Sequence, residues 1–179
     1  RRNKFNGATA LQTAVYTGSS KHKFELVQFL VEKCGARVDM VNNAGSTVLI
    51  NTVENEDVDP RLLDFVLSRG VDVNQKRRSR TLKWCMIRFV ARVHTRGKGG
   101  GIMSMLARGS GATAIHHAVI RGDIEIVQKL LRHGADPSIK NDLGQSATMI
   151  AFPELQGTLQ KRQRKNCVTG GTFALLRKR

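Results

Sequence analysis

Five histidines are the side chains of this chain best suited to acid–base or metal chemistry. His116 and His117 are adjacent, whereas His22, His94 and His133 are isolated along the sequence. A zinc site draws Cys, His or carboxylate ligands from short, regular spacings, which these residues do not have. We therefore predict no metal site and no bound cofactor.

Phosphate chemistry is suggested by residues 97–101, which read GKGGG. A nucleotide-binding loop requires the pattern Gly-x-x-x-x-Gly-Lys-Ser/Thr after a β-strand, and the sequence has neither feature. These glycines are more typical of a flexible turn. Because Ser, Thr, Asp and Glu form no nucleophile motif either, we predict that the chain is not an enzyme.

The three cysteines, Cys34, Cys85 and Cys167, are odd in number and widely spaced. They form no Cys-x-x-Cys pair, which favours a reducing, intracellular compartment. The sequence contains no run of about 18 apolar residues, so no membrane span is predicted.

The element that positions His116 is a repeat motif. It reads GATAIHHA at 111–118, GDIEIV at 122–127 and LLRHGADP at 130–137, and it restarts at Gly144. This motif and its period, about 33 residues from Gly111 to Gly144, resemble the ankyrin repeat. The resemblance implies a stack of helix pairs with β-hairpin fingers, used as a binding surface and not as a catalyst.

Two weaker copies of the motif precede it. One reads GATALQTAV from Gly7 and FELVQFLV from Phe24, and the other reads GSTVLI from Gly45 and LLDFVLSRGVD from Leu62. We predict repeats at 5–42, 43–76 and 109–141. Because the interval from Gly7 to Gly45 is longer than the period, we also expect a loop insertion near residues 19–22.

The interval from Gly45 to Gly111 is twice the period, which predicts a divergent third repeat at 77–108. An apolar stripe at helical spacing supports it: Leu82, Cys85, Met86, Phe89, Val90 and Val93. We expect this stripe to pack and Cys85 to be buried. A short second helix is predicted after the glycine run. The alternative, a disordered insertion, fits the stripe poorly.

The motif fades after Gly144, where we predict a C-terminal half repeat at 142–165, with Pro153 in the first turn of its last helix. Residues 166–179 form a basic tail. The predicted fold is therefore an all-α solenoid with β-hairpin fingers, an ankyrin repeat stack of about four repeats plus a half repeat, occupying residues 1–165. Because the chain begins at Arg1, we expect a piece of a longer protein.

Positive charge is concentrated in two segments of the chain, whose net charge is +16. Residues 76–122 contain eleven Lys and Arg and no acidic residue, and residues 143–179 contain seven against Glu154 alone. Such a field attracts acidic protein segments, nucleic acid or anionic lipid. We predict that the basic third repeat engages an acidic protein segment. Binding of nucleic acid or anionic lipid is the alternative, although one Trp and one Tyr provide little base stacking.

The ankyrin resemblance also suggests roles for single residues. It assigns His116 to hydrogen bonding between backbone segments, and Gln12, Ile50 and Lys83 occupy the same position in the other repeats. Partner contacts are expected beside each finger glycine and at the end of each first helix. These positions are Ala8, Tyr16 and Thr17, Ser46, Glu54 and Asn55, and Ala112, Ile120 and Arg121. We add His117, which lies nearer the concave side.

The divergent repeat contributes candidate contacts by expected exposure alone: Lys83, Trp84, Arg88 and Arg92. Helical geometry places Trp84 about 160° from the centre of the apolar stripe. Trp84 is therefore either an interface anchor beside arginine or a residue packed against an adjoining repeat.

Short basic clusters at 76–80, 161–165 and 177–179 resemble nuclear import signals. We expect an intracellular protein, cytoplasmic or nuclear. A further alternative is that the whole chain is a regulatory segment of a larger multidomain protein.

Overall fold

A computed structural model of the chain describes residues 2–3, 7–17, 22–55, 57–79, 82–95, 109–151, 156 and 159. The helices are α1 (Ala10–Thr17), α2 (Lys23–Glu32), α3 (Val48–Glu54), α4 (Pro60–Ser68), α5 (Leu82–Thr95), α6 (Ala114–Arg121), α7 (Ile124–Arg132) and α8 (Ala147–Ile150). Two isolated antiparallel bridges, Arg2 with Thr9 and Lys140 with Ser146, mark hairpin fingers. The predicted all-α solenoid is confirmed.

Local sequence explains where the outer helices begin. Asp59 accepts a hydrogen bond from the backbone N–H of Arg61 at 2.8 Å, and Pro60 occupies the first helical position. Asp123 accepts from the N–H of Ile126 at 3.0 Å. These side chains satisfy backbone donors that have no partner within the helix.

The helices form two rows. Helix α1 packs against α2 and α3, α3 packs against α4 and α6, and α6 packs against α7 and α8. The inner row is therefore α1, α3, α6 and α8, and the outer row contains α2, α4 and α7. The core between the rows includes these buried side chains: Leu11, Val15, Leu49, Ile50, Leu62, Leu63, Ile115 and Leu130.

No helix in the part of the chain described above has the length and apolar character required to cross a membrane.

The fingers of this stack are closed by a recurring pair of backbone hydrogen bonds. The N–H of Asn42 donates to the carbonyl oxygen of Ser46 at 3.1 Å, and the N–H of Gly45 donates to that of Asn42 at 3.0 Å. The same pair recurs in a second finger. The N–H of Asn141 donates to the carbonyl oxygen of Gln145 at 2.9 Å, and the N–H of Gly144 donates to that of Asn141 at 3.0 Å. Two residues form the tip of each of these fingers.

Arg77 makes the same pair of bonds across a much longer stretch of chain. Its N–H donates to the carbonyl oxygen of Ala112 at 2.8 Å, and the N–H of Gly111 donates to the carbonyl oxygen of Arg77 at 3.0 Å. Arg77 thus takes the place of Asn42 and Asn141. In this finger the tip between Arg77 and Gly111 comprises the whole of 78–110, and not two residues.

Residues 79–109, which we call the finger insertion, therefore leave the stack at a finger tip. They do not form a repeat between the second repeat and the 109–141 repeat, because α3 packs directly on α6. Gly45, at φ 84°, shows that the finger begun by Arg77 lies next to the Asn42 finger. A Cβ on Gly45 would collide with the backbone of Arg78. The predicted third repeat at 77–108 is corrected accordingly. The insertion is nearly one period long, so glycine spacing did not distinguish it from a repeat.

Helix α5 forms where the spacing predicted a helix, but it lies in the finger insertion and the described residues of its apolar stripe are not packed. Leu82 is 79% exposed and Phe89 is 60% exposed. Cys85 is also exposed, so the prediction that it is buried is wrong. The stripe predicted the helix correctly, because periodicity reports amphipathicity, but periodicity does not report what covers the apolar face.

Candidate partner-binding groove

His116 is fully buried and ties its repeat to the next finger. Its Nδ1 accepts a hydrogen bond from the N–H of Thr113 at 3.2 Å, and its Nε2 lies 3.2 Å from the carbonyl oxygen of Gln145. Both contacts fit a neutral imidazole protonated on Nε2. Burial lowers the pKa of His116 from its ordinary value of 6.5, partly offset by the bond to Gln145. The predicted backbone-bonding role is confirmed.

Gln12 reproduces this arrangement in the first repeat. Its Oε1 accepts from the N–H of Thr9 at 3.0 Å, and its Nε2 donates to the carbonyl oxygens of Ser46 and Met40 at 3.0 and 2.9 Å. The amide therefore replaces both imidazole nitrogens. Ile50, at the same position in the second repeat, has no polar side-chain atom, so the finger with the insertion lacks this link.

Asn55 and Arg121 occupy equivalent positions and link neighbouring repeats. Asn55 Nδ2 donates to the carbonyl oxygen of Val15 at 2.9 Å, at the end of α1. Arg121 Nη1 donates to the carbonyl oxygens of Val53, at 3.0 Å, and Asn55. Each residue thus satisfies carbonyl groups at the C-terminal end of the preceding inner helix. Their described bonds hold the stack together.

A partly buried polar cluster lies on the concave side. Glu54 Oε1 accepts a hydrogen bond from Arg77 Nη1 and lies 3.2 Å from Nδ1 of His117. The cluster joins the second repeat, the following finger and α6, so these three elements are held in register. Sequence analysis identified Glu54 and His117 but not Arg77, whose only signal was its place at the start of the basic segment.

A groove of about 390 Å³ runs between the inner helices α1 and α3 and the fingers. Four of the predicted contact positions line it, namely Ala8, Tyr16, Ser46 and Glu54. Ala8 and Ser46 are buried, whereas Tyr16 is 65% exposed. The full lining is Asn3, Ala8, Gln12, Thr13, Tyr16, Asn42, Ala44, Ser46, Asn51, Glu54 and Arg77.

The other predicted contacts whose side chains are described do not line this groove. Ile120 is 40% exposed at the end of α6, and Ala112 is fully buried. Lys83 is exposed on α5. The side chains of Thr17, Trp84, Arg88 and Arg92 lie outside the described residues, as do residues 96–108 and the basic clusters after residue 159.

Metal ligands are not grouped in the part of the chain that the structure describes: no set of three or more His, Cys, Asp or Glu side chains is placed to hold an ion.

The ankyrin repeat family model matches residues 6–43 and 110–142, and the second match begins where the finger insertion ends. Two relatives are 30% identical over 148 residues: the B-cell lymphoma 3 protein homolog of Mus musculus and the B-cell lymphoma 3 protein of Homo sapiens. These matches cover 82% of this chain but only 25% and 24% of the relatives, so the chain spans about a quarter of their length.

A solved structure gives the same answer. The ankyrin repeat domain of Bcl-3, a member of the IkappaB protein family, matches with a TM-score of 0.59 and 27% sequence identity. The match covers 86% of this chain and 51% of that one. Sequence, fold and finger geometry agree: the chain is an ankyrin repeat protein.

Proposed function

We propose that this chain is a non-catalytic, intracellular protein-interaction module whose groove holds a segment of a partner protein. The observation that carries the proposal is the groove of about 390 Å³ between α1, α3 and the fingers. Tyr16 lies at its edge and is 65% exposed, although aromatic side chains of this size usually stabilise a protein by burial. An exposed Tyr beside a concave surface is typical of an interface anchor.

The partner segment is acidic. Glu54, the carboxylate that lines the groove, is already paired with Arg77. Arg78 follows in the same finger and is exposed, and no acidic residue occurs from residue 76 to residue 122. A partner carboxylate that approaches along the fingers therefore meets a positive field, which raises its rate of association.

Phage-displayed random peptides provide a test that needs no known partner. We expect selection on the chain to enrich peptides rich in Asp and Glu. Tyr16→Ala should weaken the selected peptides about 30-fold, the size of an interface hot spot. Phe29→Ala is the matched control, because Phe29 is 55% exposed on the outer helix α2, away from the groove.

Two results would count against the proposal. Selection of peptides without acidic enrichment would contradict the proposal that the partner segment is acidic. Equal effects of the two substitutions on peptide affinity would show that the groove is not the binding site. Both variants should unfold at the midpoint of the parent chain, since each truncates an exposed side chain.

A further inference from the structure

In the described part of the chain, four of the eleven exposed large hydrophobic side chains lie on α5. Leu82, Met86, Phe89 and Val90 follow one another at i, i+4, i+7 and i+8, so they lie along one side of the helix. Their exposed fractions are 79%, 55%, 60% and 52%. Monomeric soluble proteins rarely leave such a contiguous row in water, and a row of this kind marks a surface that something covers.

The position of α5 explains why the stack does not cover this row. The helix belongs to neither the inner nor the outer row, and it lies in an insertion that leaves at a finger tip, just after Arg78. The hydrogen bonds that close the finger hold the base of the insertion and leave the helix outside the core. The apolar row is therefore available to an external surface.

Charge indicates the chemistry of that surface. The finger insertion, residues 79–109, contains seven Lys and Arg and no acidic residue, and Lys83 is exposed on α5 itself. The covering surface must therefore accept apolar side chains and also attract a dense positive charge. The surface of an anionic bilayer does both, because its headgroups are negative and its acyl region begins a few ångströms below them.

We propose that α5 is an interfacial helix that binds anionic membranes, with Leu82, Met86, Phe89 and Val90 inserted at the boundary between headgroups and acyl chains. The row is a convex ridge on a single helix, which a bilayer accommodates without a preformed complementary groove. The stack remains in water, so its groove stays open to a protein partner. This activity is independent of the proposed protein recognition.

Co-sedimentation of the whole chain with lipid vesicles tests this proposal. We expect the chain to bind phosphatidylcholine vesicles that contain phosphatidylserine. Vesicles of pure phosphatidylcholine should bind at least about tenfold more weakly, because the attraction of cationic residues near the surface is lost.

The decisive variant is Met86→Ser combined with Phe89→Ser, which removes apolar contact and leaves every charge in place. It should reduce binding to phosphatidylserine vesicles by at least about tenfold. Phe29→Ser is the matched control, since Phe29 is 55% exposed on α2 outside the basic segment, and it should bind like the parent chain. Circular dichroism should show the same unfolding midpoint for all three proteins.

Three outcomes would overturn the proposal. The first is retention of vesicle binding by the double variant, which would show charge attraction without insertion. The second is equal binding to vesicles with and without phosphatidylserine. The third is binding to polyglutamate or RNA but not to vesicles, which would assign α5 to an acidic polypeptide or nucleic acid.

Discussion

The finger that begins at Asn141 and the finger that begins at Arg77 are closed by the same two backbone hydrogen bonds, yet their tips differ greatly. The first tip has two residues, whereas the second extends over 78–110. Each finger is followed by an inner helix: α8 follows the Asn141 finger and α6 follows the Arg77 finger. The difference shows that the closing bonds, and not the length of the tip, determine the geometry of the finger.

An insertion at this point costs little because the ends of a finger tip are already adjacent. Loop-closure entropy grows only with the logarithm of length, about 0.6 kcal/mol for each doubling. The neighbouring repeats stay in contact through α3 and α6, so the stack is not interrupted. Core residues and insertion residues should therefore respond very differently to mutation.

The largest expected contrast is between two leucines. Leu130 is fully buried in α7, and Leu82 is 79% exposed in the finger insertion. We expect Leu130→Ala to lower the free energy of unfolding by about 2 to 5 kcal/mol, and Leu82→Ala to change it by less than about 0.5 kcal/mol. Denaturant unfolding measures both values. Comparable losses at the two positions would mean that α5 belongs to the core.

Deletion of residues 79–109 tests the finger directly. It joins Arg78 to Ser110 and gives this finger the two-residue tip of the fingers that begin at Asn42 and Asn141. We expect the shortened chain to fold cooperatively, with a free energy of unfolding that is unchanged or higher by up to about 2 kcal/mol, because a loop about four doublings longer no longer has to close. Loss of cooperative unfolding would instead indicate that these residues form a required repeat.

Acid sensitivity should distinguish the 109–141 repeat from the first repeat. Burial holds the pKa of His116 below 6.5, so the unfolded chain takes up a proton at a higher pH than the folded chain does. The stability that His116 contributes is therefore complete above about pH 6.5 and is lost as the pH falls from there through the lower folded pKa.

His116→Gln should remove this acid dependence, since Gln12 makes the corresponding bonds without titrating. At neutral pH we expect a change of about 1 kcal/mol or less. Gln12→His should add a similar dependence to the first repeat. Thermal unfolding across this pH range measures both effects, and an unchanged pH profile in His116→Gln would show that another group is responsible.

The smallest expected effect tests which repeats are neighbours. Lys129 Nζ of α7 lies 2.7 Å from Asp64 Oδ2 of α4. A double-mutant cycle with alanine at both positions should give a coupling of about 0.2 to 1 kcal/mol that decreases with added salt. A repeat placed between these helices would separate the pair and reduce the coupling to zero.

The sequence was sufficient for the features that depend on local pattern. The repeat period follows from residue types at fixed spacing, and the resemblance to the ankyrin repeat assigned His116 to hydrogen bonding between backbone segments, which the structure confirms. The roles of Asn55 and Arg121 required the tertiary structure, because each bonds to carbonyl groups of a preceding inner helix. Sequence spacing does not show which repeats adjoin.

The finger insertion also has some features that the sequence determined and others that only the tertiary structure determined. Helical periodicity determined that α5 would form and that one side of it would be apolar, because both properties belong to a single segment. Only the tertiary structure decided that this side faces outwards, since burial depends on which elements lie next to the helix. The backbone of Arg77 pairs with Gly111 and Ala112, α3 packs against α6, and α5 lies outside the two rows of helices.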